Sequence, residues 1–66
     1  MIKSYSSREV IKLIEQDGWY LVKIVGSHHH FSHMTKKGKV TVPHPKKDLS
    51  KVVLKSIEKQ TGITFK

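Results

Sequence analysis

Apolar positions along this chain change rhythm from segment to segment, and each change marks an element. Val10, Ile11 and Ile14 recur at helical spacing, with Leu13 beside them. Ser6-Ser7-Arg8-Glu9 stands just before them. A serine followed three residues later by glutamate is a capping box, in which the hydroxyl takes one orphan N–H and the carboxylate another. Gly18 suits the left-handed turn that stops a helix. The pattern therefore predicts a helix over about 7–17. WYLVKIV, at 19–25, is aromatic and β-branched, as strands prefer. Gly26-Ser27 interrupts it, and HHHFSHMT, at 28–35, alternates as a second strand. Lys36-Lys37-Gly38-Lys39 reads as a turn with glycine at a positive φ. KVTVP is a third strand ended by Pro43. After the loop HPKKD, Asp48 or Ser50 caps a second helix. Its apolar stripe is Leu49, Val53, Leu54 and Ile57, and Gly62 ends it. Lys51, Lys55 and Lys59 form a basic stripe on the same helix, and Ile63 and Phe65 either tuck onto the core or fray.

The order is α-β-β-β-α, an α+β fold in which two helices cover one face of a three-stranded antiparallel sheet. The other face is left to solvent or a ligand. Double-stranded-RNA-binding domains share this order, so the expected architecture is like theirs. The chain has 66 residues and no cysteine, with no repeat or linker. It is expected to be a single domain, 1–66, without a disulfide or thiolate metal cage. No apolar run near the N-terminus is long enough for a signal peptide or a membrane span, so the expected location is cytoplasmic.

Charge narrows the partner. Thirteen basic residues against five acidic ones give +8 at neutral pH. No Asp or Glu lies between Gly18 and Lys47, a stretch that holds Lys23, Lys36, Lys37, Lys39, Lys46, Lys47 and all five histidines. A positive centre between mixed-charge ends fits a phosphate-bearing partner, bound through neutralised phosphates and released counterions.

Strand alternation sorts the histidines. His28, His30 and Ser32 point one way, and His29, Phe31 and His33 the other. Phe31 belongs with the helices, together with Val40 and Val42, which leaves His28 and His30 on the open face. A plain structural role suits His29 and His33. Two histidines at i, i+2, with His44 as a third ligand, could hold zinc or nickel, but no acid or thiol lies nearby to complete or orient such a site. No metal or cofactor is expected. Catalysis needs less. Histidine ordinarily titrates near neutral pH and serves as a general base or acid. RNA carries its own nucleophile, the 2′-hydroxyl, and nearby lysines can stabilise charge on the phosphorane. Gly26 and Ser27 beside His28 allow close approach of backbone to a ligand. No Gly-rich phosphate loop, carboxylate pair or nucleophilic cysteine suggests another reaction.

Several short segments also resemble a known family. Gly18-Trp19 matches a Gly-aromatic step after the first helix. Gly26-Ser27-His28 is similar to a Gly-Ser-His signature, followed by Phe31 and His33. Val42-Pro43-His44 is similar to a Val-Pro-x-His-type segment, and residues 56–63, SIEKQTGI, to a last-helix ending Ile-x-Lys-Gln-x-Gly-hydrophobic. In these segments, taken in order, the chain resembles HicA-type toxins of bacterial toxin–antitoxin pairs. The resemblance implies a double-stranded-RNA-binding-like fold and ribonuclease activity toward messenger RNA. It also implies a HicB-type antitoxin that covers the active site in a toxin–antitoxin hetero-oligomer. The family's catalytic histidine corresponds to His28, and His30, on the same face, is the alternative. An arginine-rich strand common before the signature is missing here, where Lys23 is the only basic residue of WYLVKIV. The expected RNA contacts are Lys23, Gly26, Ser27, His30, Lys36, Lys37, Lys39 and His44. A non-catalytic RNA-binding module on the same basic face is the competing expectation.

Overall fold

The structure, a computed structural model, describes residues 4–65. Among these residues the chain forms α1 (Ser7–Gln16), β1 (Trp19–Val25), β2 (His28–His33), β3 (Lys39–Pro43) and α2 (Lys51–Thr61), in the expected order. The capping box is complete. Ser6 Oγ accepts from the Glu9 N–H at 3.2 Å, and the Glu9 carboxylate accepts from the Ser6 N–H at 3.0 Å. At α2 the cap is Ser50, whose Oγ accepts from the Val53 N–H at 3.2 Å. Asp48 instead accepts from the Ser4 hydroxyl at 3.0 Å. Gly62, at φ +79°, closes α2 in the left-handed region.

The sheet is antiparallel with strand order β1-β2-β3. Phe31 stands opposite Leu21 on one side and Val40 on the other. Phe31, Val40, Val42 and Trp19 share the covered face and pack with Val10 and Ile14 of α1, Leu54 and Ile57 of α2, and Leu49 and Phe65. α1 lies on β1 and β3, and α2 on β3. Each fully buried Phe, Leu, Ile or Val contributes roughly 1.5–3 kcal/mol of burial. The C-terminal segment tucks in. Phe65 is buried, its N–H donates to the Glu58 carboxylate at 2.7 Å, and its ring lies 5.2 Å from Tyr5.

The sequence pattern carried β2 to residue 35, but the strand ends at His33. The reason is local. His33 Nδ1 accepts from the N–H groups of both Thr35 and Lys36 at 3.0 Å. These amides turn back to the ring and leave the ladder.

The sheet is also covered unevenly. β1 is an edge strand in which only Trp19 is buried; Tyr20, Leu21, Val22, Ile24 and Val25 are each 44–55% exposed. A bulge between Leu21 and Lys23 takes Val22 out of register. Trp19 and Lys23 have the same parity, so strict alternation would give them the same face. The bulge allows Trp19 to enter the core while Lys23 stands opposite His30 on the open side.

Candidate active site

The β1–β2 hairpin turns at Gly26-Ser27. Gly26 has φ +60°, and a Cβ there would meet nothing within 4 Å, so its requirement is the left-handed turn conformation itself. His28 follows as the first residue of β2, paired with Val25 and Pro43. Its side chain is exposed, and its ring makes no hydrogen bond among the described residues. His30, two residues on, shares its face and is half-buried; its Nδ1 lies 3.0 Å from Thr41 Oγ1. Lys23 flanks His30 across β1, and Lys39 stands opposite Ser32 on β3. Both lysines are exposed, as is Lys37 in the turn before β3. The open face therefore gathers His28, His30, Lys23 and Lys39, with no strand carboxylate to offset them.

Two of the expected contacts lie elsewhere. Lys36 is held at the His33 end of β2, away from His28. Its ammonium is 2.5 Å from Asp17 Oδ2 and donates to the Thr61 carbonyl at 2.8 Å, joining the ends of the two helices. The Lys36 ammonium holds the Asp17 carboxyl below its ordinary value of 3.8, chiefly through this hydrogen bond. His44 continues the alternation of β3 onto the helix side, the face of Val42. There its Nδ1 meets the buried Ser7 hydroxyl at 2.6 Å, and its ring packs edge-on against His29 at 4.9 Å. Its backbone still serves the hairpin, because the His44 N–H donates to the Ser27 carbonyl at 2.7 Å and pins the turn beside His28.

The remaining histidines belong to the scaffold. His33 Nε2–H donates to the Asp17 carbonyl at 2.6 Å, while Nδ1 accepts from two amides. A carbonyl can only accept and an amide N–H can only donate, so the ring is fixed as one neutral tautomer. Its indole neighbour Trp19 lies edge-on at 5.1 Å. His29 is half-buried, paired with Val42 of β3, and its Nδ1 is enclosed and unpartnered among the described residues. No group of three metal-donor side chains comes together among the described residues.

The family model described as the HicA toxin of bacterial toxin–antitoxin systems matches residues 7–63. The chain belongs to the HicA toxin family. It is a toxin of a toxin–antitoxin system. No curated protein matches the chain. No helix among the described residues is long and apolar enough to cross a membrane. In this HicA-family chain the Gly26-Ser27-His28 signature forms the hairpin turn and the first residue of β2, at the edge of the open face. Sequence reasoning passed over Ser7 and Arg8 at the start of α1. They line a surface pocket of about 530 Å³ with His44, Lys46 and Lys47. The signal for it was present as the two lysines directly after His44-Pro45, but the sequence did not show which helix they would face.

Proposed function

We propose that this HicA-family toxin is a metal-independent ribonuclease that cleaves messenger RNA in the cytoplasm, with His28 as its catalytic base. The observation that carries the reading is the free His28 ring on a basic face without carboxylates, in a toxin of this family. His28 takes the proton from an RNA 2′-hydroxyl. The 2′-oxygen then forms a bond to the adjacent phosphorus as the bond to the 5′-oxygen breaks, and solvent returns a proton to that 5′-oxygen. The products are a 2′,3′-cyclic phosphate and a 5′-hydroxyl. Lys23, Lys37 and Lys39 neutralise phosphates on either side, and His30 contacts the chain from the same face. Gly26 and Ser27 give the scissile phosphate room to approach the backbone. Lys36 has no part in this set, because Asp17 and the Thr61 carbonyl already hold its ammonium. A HicB-type antitoxin that covers the open face would neutralise the toxin by occupying His28 and the lysines together.

The test is incubation of the wild type and His28→Ala with a long RNA in EDTA, with RNA ends analysed for 2′,3′-cyclic phosphate. The wild type is expected to cut, with the variant slower by about 10²–10⁴-fold. Equal cutting by both would remove His28 from the reaction. Tight RNA binding without cutting by either would replace the enzyme with a binding module.

A further inference from the structure

We propose that the pocket at the start of α1 is a second phosphate site, which holds an RNA backbone phosphodiester near the one being cut. This rests on the reading of the open face as an RNA site. The pocket, of about 530 Å³, is lined by Ser7, Arg8, His44, Lys46 and Lys47 among others, and no lining residue is acidic. Arg8, Lys46 and Lys47 are exposed, and no partner holds their side chains among the described residues. The acids next to the lining residues in sequence, Glu9 and Asp48, are engaged: Glu9 accepts from the Ser6 N–H and Asp48 from the Ser4 hydroxyl.

The floor of the pocket is built. Ser7 is fully buried, and its Oγ lies 2.6 Å from His44 Nδ1. The same oxygen accepts from the Lys46 N–H at 2.9 Å, and the Ser7 N–H donates to the Lys46 carbonyl at 3.0 Å. These bonds fix the loop after β3 against the first turn of α1, so the bases of Arg8, Lys46 and Lys47 are held around one cavity. Arginine adds a planar fork that matches two phosphate oxygens.

The pocket is also next to the proposed chemistry. The His44 N–H donates to the Ser27 carbonyl, and Pro43 stands opposite His28. His28 opens on one side of this sheet end and the pocket on the other, with the end of β3 between them. An extended RNA strand that passes over the end of β3 meets both. That continuity favours a polynucleotide phosphate over an isolated anion.

The experiment measures binding of a short single-stranded RNA, 2′-O-methylated throughout, over a range of salt concentrations. Such an RNA has no free 2′-hydroxyl and is not cut, so the readout holds whether or not His28 is catalytic. The variants are Arg8→Gln/Lys46→Gln/Lys47→Gln and, as an equal loss of charge elsewhere, Lys51→Gln/Lys55→Gln/Lys59→Gln. The pocket variant is expected to bind at least tenfold more weakly at low salt and to lose about 0.7–1.4 from the log–log salt slope, one to two phosphates' worth. The α2 variant is expected to lose less than half of that. Equal losses in the two variants would reduce the pocket to generic charge and overturn the proposal. A second arm follows the backbone amides of Arg8, His44, Lys46 and Lys47 by NMR. Shifts with the RNA support the site. Shifts with inorganic phosphate but none with the RNA would make it a free-anion pocket and overturn the proposal as well.

Discussion

The two ends of β2 carry the same side chain in opposite circumstances. At the far end His33 is used up. Its ring bonds the Asp17 carbonyl, caps two amides and packs on Trp19. At the near end His28 follows an open glycine turn and its ring bonds nothing among the described residues. Each end has its own glycine, and these differ in the same way. A Cβ on Gly18 would stand 2.7 Å from His33 Nε2, whereas a Cβ on Gly26 would meet empty space. A histidine whose nitrogens are both engaged is a strut. One with unengaged nitrogens on a basic face is available for chemistry. Within one six-residue strand, the contrast separates a ring held by the scaffold from a ring left unengaged.

The largest test of that contrast is a pair of glycine substitutions. Gly18→Ala places a side chain at φ +106° and drives it into the His33 ring, so backbone strain and displacement of the ring add together. It is expected to cost about 3 kcal/mol of unfolding free energy. Gly26→Ala carries only the left-handed strain, about 1 kcal/mol. Urea denaturation of the two variants measures both. Equal losses would mean that the His33 end is no more tightly built than the His28 end.

The histidines themselves give a middle-sized test. His33→Ala leaves the Thr35 and Lys36 amides and the Asp17 carbonyl without their ring partner, at a cost of about 1–2 kcal/mol. His28→Ala removes an exposed ring without partners and is expected to change stability by less than about 0.5 kcal/mol. Thermal unfolding of both variants under one buffer decides it. A large loss at His28 would assign that residue to the scaffold.

Much of this contrast is legible in the sequence. The capping box at Ser6 and Glu9, the stop at Gly18 and the inward turn of Phe31 all follow from local periodicity and cap chemistry. So does the sorting of His28 and His30 from His29 and His33, because a strand has a period of two. The parts that local rules could not reach depend on distant partners or on register. Lys36 reads as a surface cation, yet its ammonium is claimed by Asp17 and Thr61, which lie 19 and 25 residues away. His44 reads as part of the basic stretch, but its ring is claimed by Ser7, 37 residues away in the chain. The bulge at Val22 has no sequence mark, yet it alone reconciles a buried Trp19 with an outward Lys23.

The smallest test is acid. Lys36 and, more weakly, the Trp19 indole donate to Asp17 Oδ2, and together they hold this carboxyl below 3.8. Its value in the folded protein is thus lower than in the unfolded chain. The carboxylate's contribution to stability is complete above the unfolded value and fades as pH falls through the folded one. Because the group is exposed to solvent, the effect is modest. Trp19 reports it directly, since its Nε1–H loses a charged acceptor when Asp17 takes up a proton. An acid titration should show a change in Trp19 fluorescence below pH 3.8, accompanied by a loss of stability. Asp17→Asn should abolish that step and leave the His28 end unchanged. If the step survives in Asp17→Asn, a different carboxylate supports the His33 end, and the ion pair between the helix ends is decorative.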